Sequence, residues 1–159
     1  MQTKQEILNQ YGASLRQALQ DKSITEVELA KKLGTQSHAI YAYERGQSDP
    51  KMHRVATVAR ILGMSVEELV TGQKKPGSKT PQGQVLPVDE FNQQLAERLR
   101  VMVKLAKTNS NQLKLATGIN SGTIVNVLTG KRQPRLSSVA LIVEGLGANI
   151  EQAIPELQK

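Results

Sequence analysis

The side chains best suited to chemistry in this chain are cationic and amide donors, and one stretch concentrates them. Residues 98–143 hold eight Lys or Arg residues and no Asp or Glu. Within this stretch, Asn126 and the run Gly130-Lys131-Arg132-Gln133-Pro134-Arg135 offer N–H donors of the kind that contact phosphates and base edges. This composition favours the recognition of an anion over the making or breaking of covalent bonds.

Motifs for catalysis are missing from the sequence. It has two histidines, His38 and His53, which stand 15 positions apart, and it has no cysteine. It has no glycine-rich phosphate loop and no paired-carboxylate motif. Gly145-Leu146-Gly147 lacks the preceding strand and the third glycine that a dinucleotide-binding loop requires. We therefore expect no enzyme, no catalytic residue, no cofactor and no metal site.

The charge of the chain also indicates an anionic partner. The net charge is +7 and the isoelectric point is about 9.8. Residues 1–72 carry nine basic against eight acidic residues, residues 73–88 carry three lysines, and residues 89–159 carry nine against six. Residues 1–6 lack the apolar core of a secretory signal, and no apolar run reaches the length of about 18 residues that a membrane span needs. We expect a cytoplasmic protein without a membrane partner.

The second half of the sequence repeats the first at a constant offset of 84 positions. The recurring positions are Leu29, Gly34, Ser37, Ile40, Gly46, Pro50, Val55, Ala56, Leu62 and Gly63, which return as Leu113, Gly118, Ser121, Ile124, Gly130, Pro134, Val139, Ala140, Leu146 and Gly147. Solenoid repeats are shorter and need at least three copies. The offset therefore predicts two similar domains, residues 1–72 and 89–159, joined by residues 73–88.

The segment between the two expected domains is typical of a flexible linker. Residues 71–84 are rich in Gly, Pro, Ser and Lys and contain no apolar side chain to bury. A free chain from Gly72 to Val88 would span roughly 20–25 Å on average and about 55 Å when fully extended. Two sites one DNA turn apart, about 34 Å, would be within its reach.

Each expected domain reads as a series of short helices. In the first, the spacing of apolar residues predicts a helix around Tyr11–Leu19, and Thr25 with Glu28 predicts the start of a second helix that ends at Gly34. A third helix to about Arg45, a fourth over 51–62 and a fifth after Ser65 follow from the same signals. In the second domain the expected caps are Asp89, Asn109, Asn120 and Asn149.

Together these residues resemble the lambda-repressor/Cro-like helix-turn-helix family, also called the XRE family. The resemblance covers about residues 11–71 and 91–154. In the first half it rests on Leu29-Ala30, Gly34, Ile40, Glu44-Arg45-Gly46, Pro50 and Leu62-Gly63. The second half departs from the pattern at Lys114, which replaces Ala30, and at Leu128, which replaces Glu44. The resemblance implies an all-α fold of two lambda-repressor-like five-helix domains on a flexible linker.

The resemblance also implies which residues meet DNA, because in this family the third helix enters the major groove. The implied base-reading residues are Gln36, Ser37, His38, Tyr41 and Ala42 in the first half and Asn120, Ser121, Gly122, Thr123, Val125 and Asn126 in the second. The implied phosphate-binding residues are Lys32, Arg45, Lys51, Lys114, Lys131, Arg132 and Arg135.

Two functions follow as hypotheses. The first is a sequence-specific transcriptional regulator, expected to be a repressor, that binds double-stranded DNA with the third helix of each domain. Members of this family commonly repress promoters of phages, plasmids or mobile elements, and the resemblance implies such a role here. The alternative is an antitoxin or anti-activator, in which one domain binds a protein partner or dimerises instead. A homodimer is a further alternative, because palindromic operators require a second copy of the chain.

Overall fold

Helices form nearly all of the regular structure. The computed structural model describes residues 1–74 and 80–158. The helices are α1 (Lys4–Asp21), α2 (Glu26–Leu33), α3 (Ser37–Glu44), α4 (Met52–Ile61), α5 (Val66–Thr71), α6 (Val88–Leu105), α7 (Ser110–Thr117), α8 (Ser121–Thr129), α9 (Leu136–Gly145) and a 3₁₀ helix (Ile150–Ala153). Within these residues the only extended pairing consists of isolated bridges, so the expected all-α class is confirmed for them.

The helix boundaries repeat with the same offset as the sequence. Helix α1 begins at Lys4 and α6 begins at the equivalent position, Val88, and α2, α3 and α4 are related in this way to α7, α8 and α9. Ser23 and Lys107, which are also equivalent, both adopt a positive φ after the first long helix of each half. We call α1–α5 the first half and α6 to the 3₁₀ helix the second half. Their division into separate domains remains a prediction.

Side-chain caps begin most of the shorter helices where the sequence predicts them. The caps that accept a backbone N–H in the first turn are Thr25, Ser65, Asn109, Asn120 and Asn149. The expected cap Asp89 is wrong, because α6 begins at Val88 and Pro87 occupies the cap position. The Pro87 carbonyl accepts the Phe91 N–H at 2.8 Å, and Asp89 lies in the first turn.

The last element differs from the expected fifth helix of the second half. Asn149 caps it as predicted, but it is a four-residue 3₁₀ helix that ends at Ala153. The cause is Pro155, since the residue before a proline is pushed out of the helical region. Ile154 accordingly has an extended backbone, with φ −78° and ψ 127°. The chain then turns back towards residue 84.

The core of the first half depends on a close approach between α1 and α3. Buried Tyr11 lies edge-to-face against Tyr43, with ring centroids 6.5 Å apart. One position further along α1 is Gly12, where an added Cβ would lie 2.5 Å from the carbonyl oxygens of both Tyr43 and Glu44. Only glycine lets the two backbones come this close.

Gly12→Ala is therefore expected to destabilise the protein, although alanine favours helix by about 1 kcal/mol. Forcing α3 away from α1 costs more than this gain, so we expect a net loss of about 1–2 kcal/mol in the free energy of unfolding. Urea unfolding followed by circular dichroism measures it. Gly122→Ala is the matched control, because an added Cβ in α8 would meet only ordinary contact distances. A Gly12→Ala protein as stable as the control would contradict the packing argument.

The two halves pack against each other and share one cluster of buried side chains. Part of the expected linker joins this packing. Gln84 and Gln158 exchange backbone hydrogen bonds of 2.8 and 2.7 Å, and Leu86 is buried while its carbonyl lies 2.9 Å from Nε2 of His53. Residues 83–86 therefore do not act as a free tether. The middle of the expected linker, residues 75–79, lies outside the described residues.

Candidate nucleic-acid interface

The helix-turn-helix of the first half is built by three local features. Thr25 caps α2, and Gly34 ends it with φ +69°, a left-handed conformation that glycine adopts without strain. Helix α3 then begins at Ser37. Ile40, which is fully buried, and Tyr43, which is 8% exposed, fix the inner face of α3 against the core. The opposite face of α3 is left to contact a partner.

The expected base-reading residues of α3 lie on its accessible side. Gln36, His38 and Tyr41 are exposed, and Ser37 and Ala42 are half-buried. Gln36 occupies the N-cap position, but its side chain makes no capping hydrogen bond. Its amide is therefore available to an external partner, as base reading requires. The assignment of these residues to bases remains a prediction.

Helix α8 presents a similar but not identical face. Ile124 and Val127 hold it to the core, while Gly122 and Val125 are exposed and Ser121, Thr123 and Asn126 are half-buried. Asn120 is exposed, but its Oδ1 accepts the Thr123 N–H at 2.8 Å and so caps the helix. Capping uses the carbonyl of Asn120 and leaves its NH₂ group as a donor. These six residues therefore share one accessible surface with mainly polar character.

The cations assigned to phosphates are all exposed, and two of them have partners within the chain. The seven exposed residues are Lys32, Arg45, Lys51, Lys114, Lys131, Arg132 and Arg135. Arg45 Nε donates to Oε1 of Gln47 at 3.1 Å, and Arg135 donates to the backbone carbonyl of Asp49 at 2.7 Å. Arg135 therefore takes part in the contact between the halves as well as lining the surface.

Glu44, at the end of α3, occupies an unfavourable site for a charge. Its Oε2 is buried and has no hydrogen-bond partner among the described residues. Burial and, to a smaller extent, the nearby Glu26 carboxyl together raise the pKa of Glu44 to about 7, against the opposing effect of Arg16 and Arg45. In the second half Leu128 stands in its place, and the Leu128 carbonyl accepts from Arg100 at 2.6 Å.

Glu44 should make stability depend on pH. Because the pKa of Glu44 is higher in the folded state than its ordinary value of 4.5, the folded chain binds more protons. Stability from this group is present below about pH 4.5 and is lost as the pH rises to about 7. Glu44→Gln should therefore raise the urea midpoint relative to wild type at pH 8 but not at pH 4. The same change at exposed Glu97 is the control, and an equal effect at both pH values would contradict the assignment.

Asp49 joins the two halves of the chain, and the sequence offers no signal for this role. It lies in the loop between α3 and α4, and its side chain is only 12% exposed. Its Oδ1 accepts the Ser137 N–H at 3.1 Å, and its Oδ2 accepts the Ser137 hydroxyl. Ser137 is in the first turn of α9, whose own cap residue, Arg135, makes no side-chain cap. A carboxylate of the first half thus caps a helix of the second.

Residues 1–74 and 80–158 contain neither a metal-binding cluster nor a membrane-spanning helix. Across residues 1–74 and 80–158 there is no group of three or more His, Cys, Asp or Glu side chains arranged to hold a metal ion. No helix in the same residues is long and apolar enough to cross a membrane.

Comparison with known proteins agrees with the helix-turn-helix geometry of the first half. Residues 15–69 match the helix-turn-helix family HTH_3. The cryptic phage CTXphi transcriptional repressor RstR of Vibrio cholerae is 19% identical over 106 residues, which cover 65% of this chain and 96% of that protein. An uncharacterized HTH-type transcriptional regulator of Methanocaldococcus jannaschii is 34% identical over 47 residues, which cover 30% of this chain and 71% of that protein. No solved structure matches the chain significantly. The chain therefore belongs to the HTH_3 family of helix-turn-helix DNA-binding proteins.

Proposed function

We propose that this protein is a sequence-specific transcriptional repressor that reads operator DNA with α3 and α8. The observation that carries the proposal is the accessible face of α3, where Gln36, His38 and Tyr41 project from a helix fixed to the core by Ile40. Amide and hydroxyl groups at this spacing match the donor and acceptor pattern of base edges in the major groove. The family match covers this helix.

The positive charge of the second half supports the proposal that α8 is a second base-reading helix. No acidic residue occurs between Arg98 and Val143, and Lys131 and Arg132 extend from the loop after α8 into solvent. Such a loop would contact phosphates on either side of the groove that α8 enters. Repression is the sign of regulation that we propose, since one of the relatives is a phage transcriptional repressor.

The test is selection of bound sequences from random duplex DNA with the full chain, followed by affinity measurements in increasing salt. A repressor of this kind should select a defined motif and lose affinity steeply with salt, because each phosphate contact releases counterions. If no motif is recovered and affinity for duplex DNA is uniformly weak, the proposal fails. Placing the selected motif over a reporter promoter then tests the sign of regulation, and increased transcription would contradict repression.

Binding of a protein partner is the second candidate, and one observation favours it. Val101 and Leu105 are exposed by 57% and 77%, one turn apart on α6. Their counterparts in the first half, Gln17 and Asp21, are polar and hydrogen-bonded to each other. An antitoxin or anti-activator would use such an apolar strip, and its complex would be insensitive to salt. Val101→Gln with Leu105→Asp should then abolish partner binding and leave DNA binding unchanged.

A further inference from the structure

The backbone and helix contacts between the two halves follow the rule of a two-fold axis. In a contact surface with two-fold symmetry, if position i of one unit meets position j of the other, then position j of the first meets position i of the second. Here equivalent positions are those related by the offset of the sequence repeat. The backbone hydrogen bonds that join the loops of the two halves obey this rule, whereas the side-chain bonds that join Asp49 to Ser137 and Arg135 have no image among the described residues.

The first such point lies between the loops that follow α3 and α8. The Met52 N–H donates to the Pro134 carbonyl at 2.8 Å, and the Leu136 N–H donates to the Pro50 carbonyl, also at 2.8 Å. Met52 and Leu136 are equivalent positions, as are Pro50 and Pro134, so the two bonds are images of each other. Between them, Lys51 faces its own counterpart Arg135. The axis passes through this pair.

The second point lies between α5 and the 3₁₀ helix. The Glu67 N–H donates to Oε2 of Glu151 at 3.0 Å, and these residues are again counterparts. The helix contacts agree with this axis. Helices α1 and α6 are counterparts, as are α4 and α9, so the packing of α1 on α9 is the image of the packing of α6 on α4. The counterparts α4 and α9 also pack on each other. Two separate points and a matched set of helix contacts define one pseudo-two-fold axis within a single chain.

The segments before α1 and α6 follow the symmetry at the level of elements but not residue by residue, since the counterpart of Gln2 is Leu86 and not Gly83. The Gln2 N–H donates to Glu144 in α9 at 3.1 Å. Arg60, the counterpart of Glu144, donates to the Gly83 carbonyl in the segment before α6. Each segment thus lies along the fourth helix of the opposite half. The packed residues 83–86 belong to this arrangement, which fixes the halves relative to each other.

The two proposed reading helices are equivalent elements, so the two-fold relation places them at the same height along the axis. Helix α3 leads through its loop to Lys51, and α8 leads through the equivalent loop to Arg135. The acid in the first of these loops, Asp49, is turned into the start of α9, so exposed Lys51 and Arg135 dominate the charge beside the axis. DNA has two-fold axes of its own perpendicular to the duplex, and dimeric helix-turn-helix proteins align with them.

We propose that a single chain binds one operator made of two unlike half-sites in inverted orientation at one fixed spacing. This inference rests on the proposed function. The two half-sites should differ because the two reading helices differ. Gln36-Ser37-His38 in α3 occupies the positions that are equivalent to Asn120-Ser121-Gly122 in and before α8. Inverted orientation follows from the two-fold relation, and fixed spacing follows from the packing of the halves. A flexible tether would instead accept inverted and direct repeats over a range of spacings.

The test begins by assigning a half-motif to each helix in the full chain. Gln36→Ala with His38→Ala should erase one half of the selected motif, and Thr123→Ala with Asn126→Ala should erase the other. Synthetic duplexes then carry the two half-motifs inverted, everted or direct, with the spacing varied one base pair at a time over a full turn. We expect one inverted spacing to bind best, and direct repeats to bind about 10²–10⁴-fold more weakly because only one half can engage.

Three outcomes would overturn the inference without touching the proposed function. Equal affinity for direct and inverted repeats would show that the halves act as tethered independent units. Two chains on each duplex, seen by native mass spectrometry or sedimentation, would show that a homodimer is the binding unit. The third outcome concerns a Gly-Ser insertion between Lys74 and Thr80, which we expect to leave the preferred spacing unchanged. If the insertion widens the range of preferred spacings, the length of the linker sets the spacing. Failure to bind any duplex selectively would instead overturn the proposed function itself.

Discussion

Replacing Gln36 and His38 by alanine together should lower affinity for the operator by about 10-fold to 100-fold. A well-placed amide contact to a base contributes roughly 1–3 kcal/mol of discrimination. His38 is exposed on the same accessible side of α3. Because neither change removes a permanent charge, the slope of affinity against salt should stay constant. Fluorescence anisotropy with the selected duplex at several salt concentrations measures both quantities.

A charge-removing variant and a neutral control complete that experiment. Lys131→Ala with Arg132→Ala should weaken binding to all duplexes alike and reduce the salt slope by about 2, since each phosphate contact contributes about 0.9. Gln20→Ala, an exposed glutamine on α1, should change nothing. If the Gln36 and His38 variant keeps wild-type affinity and specificity, α3 does not read bases.

Asp49→Ala is expected to weaken the packing of the two halves by about 2–3 kcal/mol. The change removes the cap of α9, which is typically worth about 1 kcal/mol, and a hydrogen bond between a carboxylate and the Ser137 hydroxyl. Ser137 is 4% exposed, so its hydroxyl would be left buried without this partner. Lys4, whose Nζ lies 3.9 Å from Oδ2 of Asp49, would lose a weaker contact.

Urea unfolding of the full chain measures the loss, and Asp49→Asn is the matched control. Asparagine keeps an oxygen that can accept the Ser137 N–H, so we expect it to lose about 1 kcal/mol or less. On the synthetic duplexes, Asp49→Ala should also reduce the preference for inverted over direct repeats. A variant with wild-type stability and an unchanged preference would show that Asp49 does not hold the halves together.

The local elements of the fold could be predicted because their signals are local. The caps of α2 at Thr25 and Gly34 depend on neighbours within four residues, and the structure reproduces both. The failures have local causes as well. Pro87 displaces Asp89 from the cap of α6, and Pro155 shortens the last helix. At the start of α6 the proline takes the cap position from the polar residue, whereas at the last helix Asn149 keeps the cap and the proline sets only the end.

The face of α3 was partly predictable. The helical spacing of Ile40 and Tyr43 gives the buried side, so the exposed positions of Gln36, His38 and Tyr41 follow from it. What the spacing could not reveal is that burial and the nearby Glu26 carboxyl raise the pKa of Glu44, because both effects arise only when α2 packs on α3.

The all-α class, the order of the helices and the repeat follow from the sequence alone, because periodicity, caps and glycines act over a few neighbouring positions. How the halves meet is a property of the folded molecule. The cap that Asp49 provides to α9 joins residues 88 positions apart, and the pairing of Lys51 with Arg135 joins equivalent loops. Such contacts depend on the complementarity of complete surfaces, which no stretch of neighbouring residues encodes. The same composition that is typical of a flexible linker therefore includes residues 83–86, which this packing holds in place.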